Sequence, residues 1–348
     1  MTIGEALVSY LETRGVEVIF GIPGVHTIEL YRGLAQSSIR HVTARHEQGV
    51  GFMADGYARA SGRAGIAFVI TGPGMTNMLT PMAQSLADSI PMLIISGVNE
   101  TASQGLGLGH LHELPNQLSL CAQVAKTATQ ITQQEELIPA LHQAFEDFTT
   151  KRPAPIHIQI PTDIMKQPFD CQDDLMSKDQ AANIKLPYHA TPDSMLHPDK
   201  NQIIDAVARL TQSNKTVILA GGGAKQCTST LEHIAEALAA PVVLTGNARG
   251  LMHQHPLCIP ASPSLEAVRA LIREADCILA VGTEIGFTDY DVYRDDGFPV
   301  IDTLIRIDIC ADQLVKYQTE RSLQGDANHV LAALLEQLEP TQAAKHTE

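Results

Sequence analysis

Basic side chains are scarce in this chain: 24 Lys and Arg stand against 39 Asp and Glu in 348 residues, a formal charge of -15. Proteins that grip a phosphate backbone concentrate the opposite charge on one face, so the deficit excludes a nucleic-acid partner. Long apolar runs are also missing. No stretch of about 18 apolar residues occurs, so nothing reads as a membrane span. The N-terminus lacks the basic segment and apolar run of a secretory signal. The six cysteines (121, 171, 227, 258, 277 and 310) never form a Cys-x-x-Cys pair. That scatter excludes a zinc ribbon and fits reduced thiols in the cytoplasm rather than a disulfide framework. At roughly 150 residues per domain, the length predicts two globular domains with real cores.

What is present is an alternation of short β-rich runs with helical patterns, the signature of a parallel sheet covered on both faces. Strands are expected at Val18–Pro23, Ile39–Ala44, Gly65–Thr71, Pro91–Ser96 and Pro155–Ile160. Thr2-Ile-Gly-Glu5 is a capping box, followed by Leu7 and Leu11 at helical spacing and Gly15 as a stop. Further helices are expected over about 46–60, 75–88 and 135–149. The reading is a doubly wound α/β domain over residues 1–165. A Lys-, Asp-, Gln- and Pro-rich linker follows over 166–199. A second, Rossmann-like α/β domain spans 200–338, with a polar tail at 339–348. Its strands are expected at Thr216–Ala220, Pro241–Thr245, Cys277–Val281 and Leu304–Ile309.

Three features fall at carboxyl ends of strands in the first domain, where open parallel sheets bind ligands. They are Phe20-Gly-Ile-Pro-Gly-Val-His26, Arg45-His-Glu-Gln48 and Thr71-Gly-Pro-Gly-Met-Thr-Asn77. Taken singly, each has a plain structural explanation. Gly-Pro-Gly is ordinary turn chemistry, and a Glu in a first helical turn complements the helix dipole. Gly49, Gly51 and Gly56 each cost their helix about 1 kcal/mol relative to Ala, so together they want a reason such as close helix packing.

In that order and spacing, the motifs resemble the pyrimidine-binding domain of thiamine-diphosphate enzymes of the acetolactate synthase and 2-oxo acid decarboxylase group. The remainder, from about 200 to 336, resembles the group's central domain. Gly-x-Gly-His-x-His-Glu (107–113) and Val281-Gly-Thr-Glu-Ile-Gly-Phe-Thr-Asp-Tyr-Asp-Val-Tyr293 look most like the guanidino-oxopentanoate decarboxylase branch. By that resemblance Glu47 is the catalytic carboxylate that hydrogen-bonds the aminopyrimidine of the cofactor. It shifts that ring towards the imino tautomer, which takes the thiazolium proton. The cofactor carries the carbanion chemistry while the protein supplies orientation and electrostatics. The resemblance also implies that Pro73 and Asn77 flank the pyrimidine and that the backbone at Gly24 and Gly72 approaches it. It puts Val25, His26 and Gln84 towards the substrate, and His110 and His112 in proton transfer, since imidazole titrates near neutrality. For each histidine, plain loop exposure is the competing reading; for Gln84 it is a solvated helix face.

The resemblance carries further expectations. The substrate is a 2-oxo acid, and the assembly is a homodimer or homotetramer. Mg2+ and the diphosphate belong to a third domain with a Gly-Asp-Gly motif, a string that occurs nowhere in this chain; the nearest is Gly325-Asp-Ala-Asn328. The expectation is therefore a further domain after position 348 or on a separate chain, with weak cofactor binding by these residues alone. FAD is not expected, because Gly282-Thr-Glu-Ile-Gly-Phe-Thr-Asp sets acidic residues where flavin-binding relatives have arginines, leaving Gly221-Gly-Gly223 as a structural turn. An acetolactate synthase-like carboligase and a catalytically inactive partner subunit are the competing functions.

Overall fold

The computed structural model describes residues 1–170, 197–290 and 298–345. It divides into two compact units, Met1–Ala190 and Thr191–Glu348. The first opens with α1 (Ile3–Thr13), capped as its sequence predicts: Thr2 accepts from the Glu5 amide and Glu5 from the Thr2 amide. Six strands follow: β1 (Val18–Gly21), β2 (Arg40–Thr43), β3 (Gly65–Val69), β4 (Met92–Val98), β5 (Thr127–Gln130) and β6 (Pro155–Pro161). All pair in parallel in the order β2-β1-β3-β4-β6-β5. The central strands β3, β4 and β6 are buried throughout, as expected of a sheet covered on both faces. The strand that the sequence pattern did not signal, β5, lies at the sheet edge. Its Thr-Ala-Thr-Gln alternates between exposed and half-buried, so it carries no apolar run.

The connections are α2 (Ile28–Leu34), α3 (Glu47–Ser61), α4 (Pro73–Asp88), α5 (Gln117–Cys121) and α6 (Leu137–Thr150). Close packing of α3 on α4 accounts for one of the three helical glycines. A Cβ at Gly51 would lie 2.6 Å from Met78 Sδ and 2.7 Å from Pro81 Cβ, while Gly49 and Gly56 face open space. The two helices are also clamped by charge: Arg59 bridges buried Asp55 (2.6 Å) on its own helix and Asp88 (2.7 Å) on α4. Two residues of the expected linker pack onto this unit. Gln167 accepts from the Ile3 amide (3.0 Å) and Phe169, fully buried, donates its amide to Met1 (2.9 Å). The rest of that stretch, 171–196, lies outside the described residues.

The second unit is a six-stranded parallel sheet, β12-β11-β10-β7-β8-β9. Its strands are β7 (Thr216–Ala220), β8 (Val242–Leu244), β9 (Cys258–Ile259), β10 (Cys277–Val281), β11 (Thr303–Asp308) and β12 (Arg321–Gln324). That order is the dinucleotide-fold arrangement, with its switch point between β7 and β10. Short, half-buried β9 and β12 supply no run long enough to read in the sequence. The last helix runs to Lys345, beyond the expected 338. At the switch point the turns after β7 and β10 fill each other's space: a Cβ at Gly221 would meet Thr283 Cβ at 2.6 Å, and one at Gly282 would meet Gly223 Cα at 2.6 Å. Close backbone approach therefore accounts for these glycines.

Candidate active site

The order β2-β1-β3 reverses the chain's winding between β1 and β3, which opens a crevice at their carboxyl ends. The turns singled out in the sequence converge there. After β1, the turn reaches Gly24, where a Cβ would lie 2.6 Å from Ile70 Cγ2, just beyond β3. The Thr27 amide and hydroxyl both donate to the Gly24 carbonyl (3.0 and 3.1 Å), fixing the entry to α2. After β3, Gly72 takes φ 66° and ψ -120° and caps α4, with Pro73 at the first helical position, where its missing N–H costs nothing. Asn77 follows one turn along the same helix, half-buried.

Glu47 is the first residue of α3 and is half-buried. His46 caps the helix, its Nδ1 accepting from the Gln48 amide at 3.1 Å. The carboxylate of Glu47 points to the first turn of α4: its Oε1 lies 3.7 Å from where a Cβ would sit on Gly74. Sequence neighbours of two different strand ends are thus brought together.

The 104–115 loop closes over this turn. Glu113 organises it, accepting from the amides of Gly107 (2.7 Å), Gly109 (2.9 Å) and His110 (3.1 Å). Desolvation alone pushes this carboxyl up, but the surrounding amides together outweigh it and hold the group below the usual range. Gly105, Gly107 and Gly109 all have positive φ, which gives the loop its tight winding. His112 also lies at φ 58°, a conformation seldom adopted without glycine. Its backbone sits on Gly72: a Cβ there would come within 2.6 Å of His112 Cβ and closer still to its carbonyl oxygen. His110 is exposed in a groove of about 690 Å3 that Pro73, Thr76, Gly107, His112 and Glu113 help to line. Glu47 is not part of that lining; it meets the α4 turn at Gly74.

His26, buried on the turn after β1, stacks on His112 with ring centroids 5.9 Å apart. The Nδ1 atoms of both imidazoles are buried and have no hydrogen-bond partner among the described residues. Burial, then the neighbouring imidazole, lowers the His26 pKa, opposed by a backbone hydrogen bond with Leu111. The geometry therefore joins Gly24, His26, Glu47, Gly72, Pro73, His110 and His112 in one constellation. It does not bring in Gln84. That side chain is exposed three turns along α4, about 16 Å from the helix start at 1.5 Å per residue, and donates to Asp88 at 2.7 Å. Val25, beside His26, is exposed.

One group beneath the site went unsignalled. The buried amide of Gln117 accepts from the Thr71 hydroxyl (2.6 Å) and the Gly72 amide (3.1 Å). It donates to Ser96 Oγ (3.1 Å), the Gly97 carbonyl (3.2 Å) and Gln159 Oε1 (3.1 Å). Ser96 in turn bonds the fully buried His157 at 2.9 Å, and Gln159 donates to Gln130 at 2.6 Å. Ser96, His157 and Gln159, polar residues inside otherwise apolar strands, are the one sequence signal that could have found this network, and it does not reach Gln117 itself.

Comparison with known proteins agrees with the geometry. Residues 1–120 match the family described as thiamine pyrophosphate enzyme, N-terminal TPP binding domain. Residues 203–334 match thiamine pyrophosphate enzyme, central domain. A probable 2-ketoarginine decarboxylase of Pseudomonas aeruginosa is 41% identical over 97% of this chain and 58% of its own length. A probable acetolactate synthase large subunit of Methanocaldococcus jannaschii is 33% identical over 95% of this chain and 55% of its own. The acetolactate synthase isozyme 1 large subunit of Escherichia coli is 29% identical, over 95% and 57%. The chain thus spans a little over half the length of the curated relatives it matches. It belongs to the thiamine pyrophosphate enzymes, carrying their N-terminal and central domains.

Proposed function

We propose that this chain supplies the pyrimidine-side half of the active site of a 2-oxo acid decarboxylase of the 2-ketoarginine decarboxylase kind. The observation that carries the reading is the placement of Glu47: a half-buried carboxylate at a helix start, directed at Gly74 of the turn that follows β3. The side chains present suit the pyrimidine end of thiamine diphosphate: one carboxylate to hydrogen-bond a ring nitrogen, glycine-bearing turns for backbone approach, and two imidazoles with unpartnered nitrogens. When bound, the cofactor supplies the carbanion chemistry by which a 2-oxo acid loses carbon dioxide. Glu47 holds a proton at the pyrimidine nitrogen, and Pro73 and Asn77 orient the ring. His112 and His26, each with an unpartnered buried Nδ1, hold or move the proton at the substrate side. The loop held by Glu113 excludes water from the turn.

No group of three or more His, Cys, Asp or Glu that could hold a metal ion occurs among the described residues. The reading assigns Mg2+ and the diphosphate to protein outside these two domains, in the same chain or a partner chain. It includes no flavin, since Glu284 follows the Gly282 turn where a phosphate would need a cation. It takes the enzyme as cytoplasmic; no helix among the described residues is long and apolar enough to cross a membrane. A second copy of the chain covers the α3 face on which Gly49, Phe52 and Gly56 recur at helical spacing. Phe52 is 43% exposed and neither glycine touches anything. Sedimentation of Phe52→Asp should then show dissociation to monomers; an unchanged oligomer rejects this face.

Glu47→Gln in the cofactor-loaded protein tests the main reading. Exchange of the thiazolium proton with deuterium should slow by about 10²-fold or more, the range for losing a positioned acid–base group. Exchange at the parental rate overturns it. Product analysis of the parent separates the competing functions. An aldehyde supports the decarboxylase, a 2-hydroxy-2-branched acid an acetolactate synthase, and no turnover even with the Mg2+ and diphosphate site supplied by the further domain an inactive subunit.

A further inference from the structure

The chain has more polar machinery under the cofactor turn than the proposed reaction uses. Gln117 opens α5, a helix of only five residues, yet its side chain is 3% exposed and runs beneath three strand ends at once. We infer that Gln117 is a positioning residue that presets the Thr71–Gly72 turn for the pyrimidine ring. The inference rests on the proposed cofactor site and adds to it a residue that touches neither ring nor substrate.

Gly72 adopts φ 66° and ψ -120°, so its amide cannot join either the β3 ladder or the α4 hydrogen bonds. A buried N–H left without an acceptor is costly, and an alternative rotation of the peptide would satisfy it elsewhere. Gln117 Oε1 supplies the acceptor, and its other lone pair takes the Thr71 hydroxyl. An amide is suited to this double task because it accepts at one end and donates at the other. Its Nε2 anchors to Ser96, Gly97 and Gln159 on β4 and β6, so the turn is referenced to the rigid middle of the sheet. Gly97 is also where the His26 backbone rests: a Cβ there would lie 2.7 Å from His26 Cβ. One side chain therefore ties together the turn that meets Glu47 and the strand that seats His26.

The test compares Gln117→Met with Gln159→Leu. The control breaks the same buried network on the side away from Gly72. With parent and variants each assembled with the protein that supplies the Mg2+ and diphosphate site, hydrogen exchange read by mass spectrometry over residues 70–78, and titration with thiamine diphosphate plus Mg2+, are followed together with thermal unfolding. Gln117→Met should speed exchange at the turn at least tenfold and weaken the cofactor about tenfold. Gln159→Leu should lower the unfolding temperature without either change. Equal loosening of the turn by both variants, or unaltered exchange in Gln117→Met, overturns the inference. Faster exchange with undiminished cofactor affinity overturns it too, while leaving the cofactor reading standing. Failure of the parent protein to protect 70–78 on adding cofactor sinks that reading instead. Should Gln117→Met not fold, Gln117→Asn keeps an amide that is one methylene too short to span Gly72 and Gln159, with the same outcomes expected.

Discussion

Gly72→Ala puts the architecture of the cofactor turn under direct test. The substitution adds one methyl group at a residue with φ 66°, and two costs follow. The left-handed backbone costs an alanine about 1–2 kcal/mol. The new Cβ would lie 2.6 Å from His112 Cβ, where ordinary contact begins at 3.4 Å, so the 104–115 loop must retreat by close to an ångström. Overpacking of that size costs about 1–3 kcal/mol. Together these give about 2–5 kcal/mol, which lowers the unfolding temperature of a unit this size by roughly 5–15 °C. The second cost is relieved only by lifting His112 away from His26 and opening the groove. Calorimetry reads the stability loss, and hydrogen exchange over residues 104–115 reads the loop. Gly246→Ala, in the second unit, is the control: nothing lies within 4 Å of the new methyl. A Gly72→Ala protein as stable as its parent, with the loop equally protected, would refute the packing described here.

Acid should destabilise the first unit through His157. Burial lowers its pKa to about 3, against about 6.5 in an open chain. Between those values the unfolded chain binds a proton that the folded one refuses, so stability falls as pH drops, by up to about 1.4 kcal/mol per pH unit. The same sign holds for His26, whose pKa is also lowered. His157→Gln, which keeps a partner for Ser96, should flatten the dependence of unfolding free energy between pH 6 and 4 by nearly one proton; an unchanged slope contradicts the burial argument. Gly51→Ala should wedge α3 from α4, since its methyl would meet Met78 Sδ at 2.6 Å, and cost about 1–3 kcal/mol in urea unfolding. Parental stability would mean that the helices are not in that contact.

Much of the fold was legible because apolar periodicity and turn chemistry coincide. The Thr2 capping box, the buried runs that became β3, β4 and β6, and the Gly72-Pro73 helix start each carry a local signal that tertiary packing reinforces. What could not be read depends on neighbours. β5 is a strand because β6 lends it a ladder, not because Thr-Ala-Thr-Gln prefers extension. Gly51 and Gly49 look identical in the sequence, yet only one has a helix against it. The same holds for the site. Glu47 and the glycine turns could be singled out because the motifs that carry them, and the resemblance those motifs support, are continuous along the chain. Gln117 could not, as its partners lie 20 to 46 residues away and its own helix has no distinguishing pattern.

That contrast bears on how the site is built. The residues nearest the cofactor turn stand on strand ends whose geometry the backbone already constrains, so they needed only the right side chain at the right position. The loop with His110 and His112 has no such support; it is held by Glu113 gathering three amides, by Asn99 and His26 hydrogen-bonding the Leu111 backbone, and by backbone contact of His112 on Gly72. These devices act on the loop's main chain rather than on its own two imidazoles, of which only His112 has a ring partner, in His26. His110 and His112 can therefore be exchanged for other side chains without dismantling the loop, whereas Glu113 and Gly72 cannot. Under the proposed function, reaction type would be set at the histidines while the turns that meet the cofactor stay fixed. His112→Gln should accordingly change turnover while leaving exchange protection over 104–115 at the parental level. Loss of that protection would show that the ring, not the backbone, holds the loop.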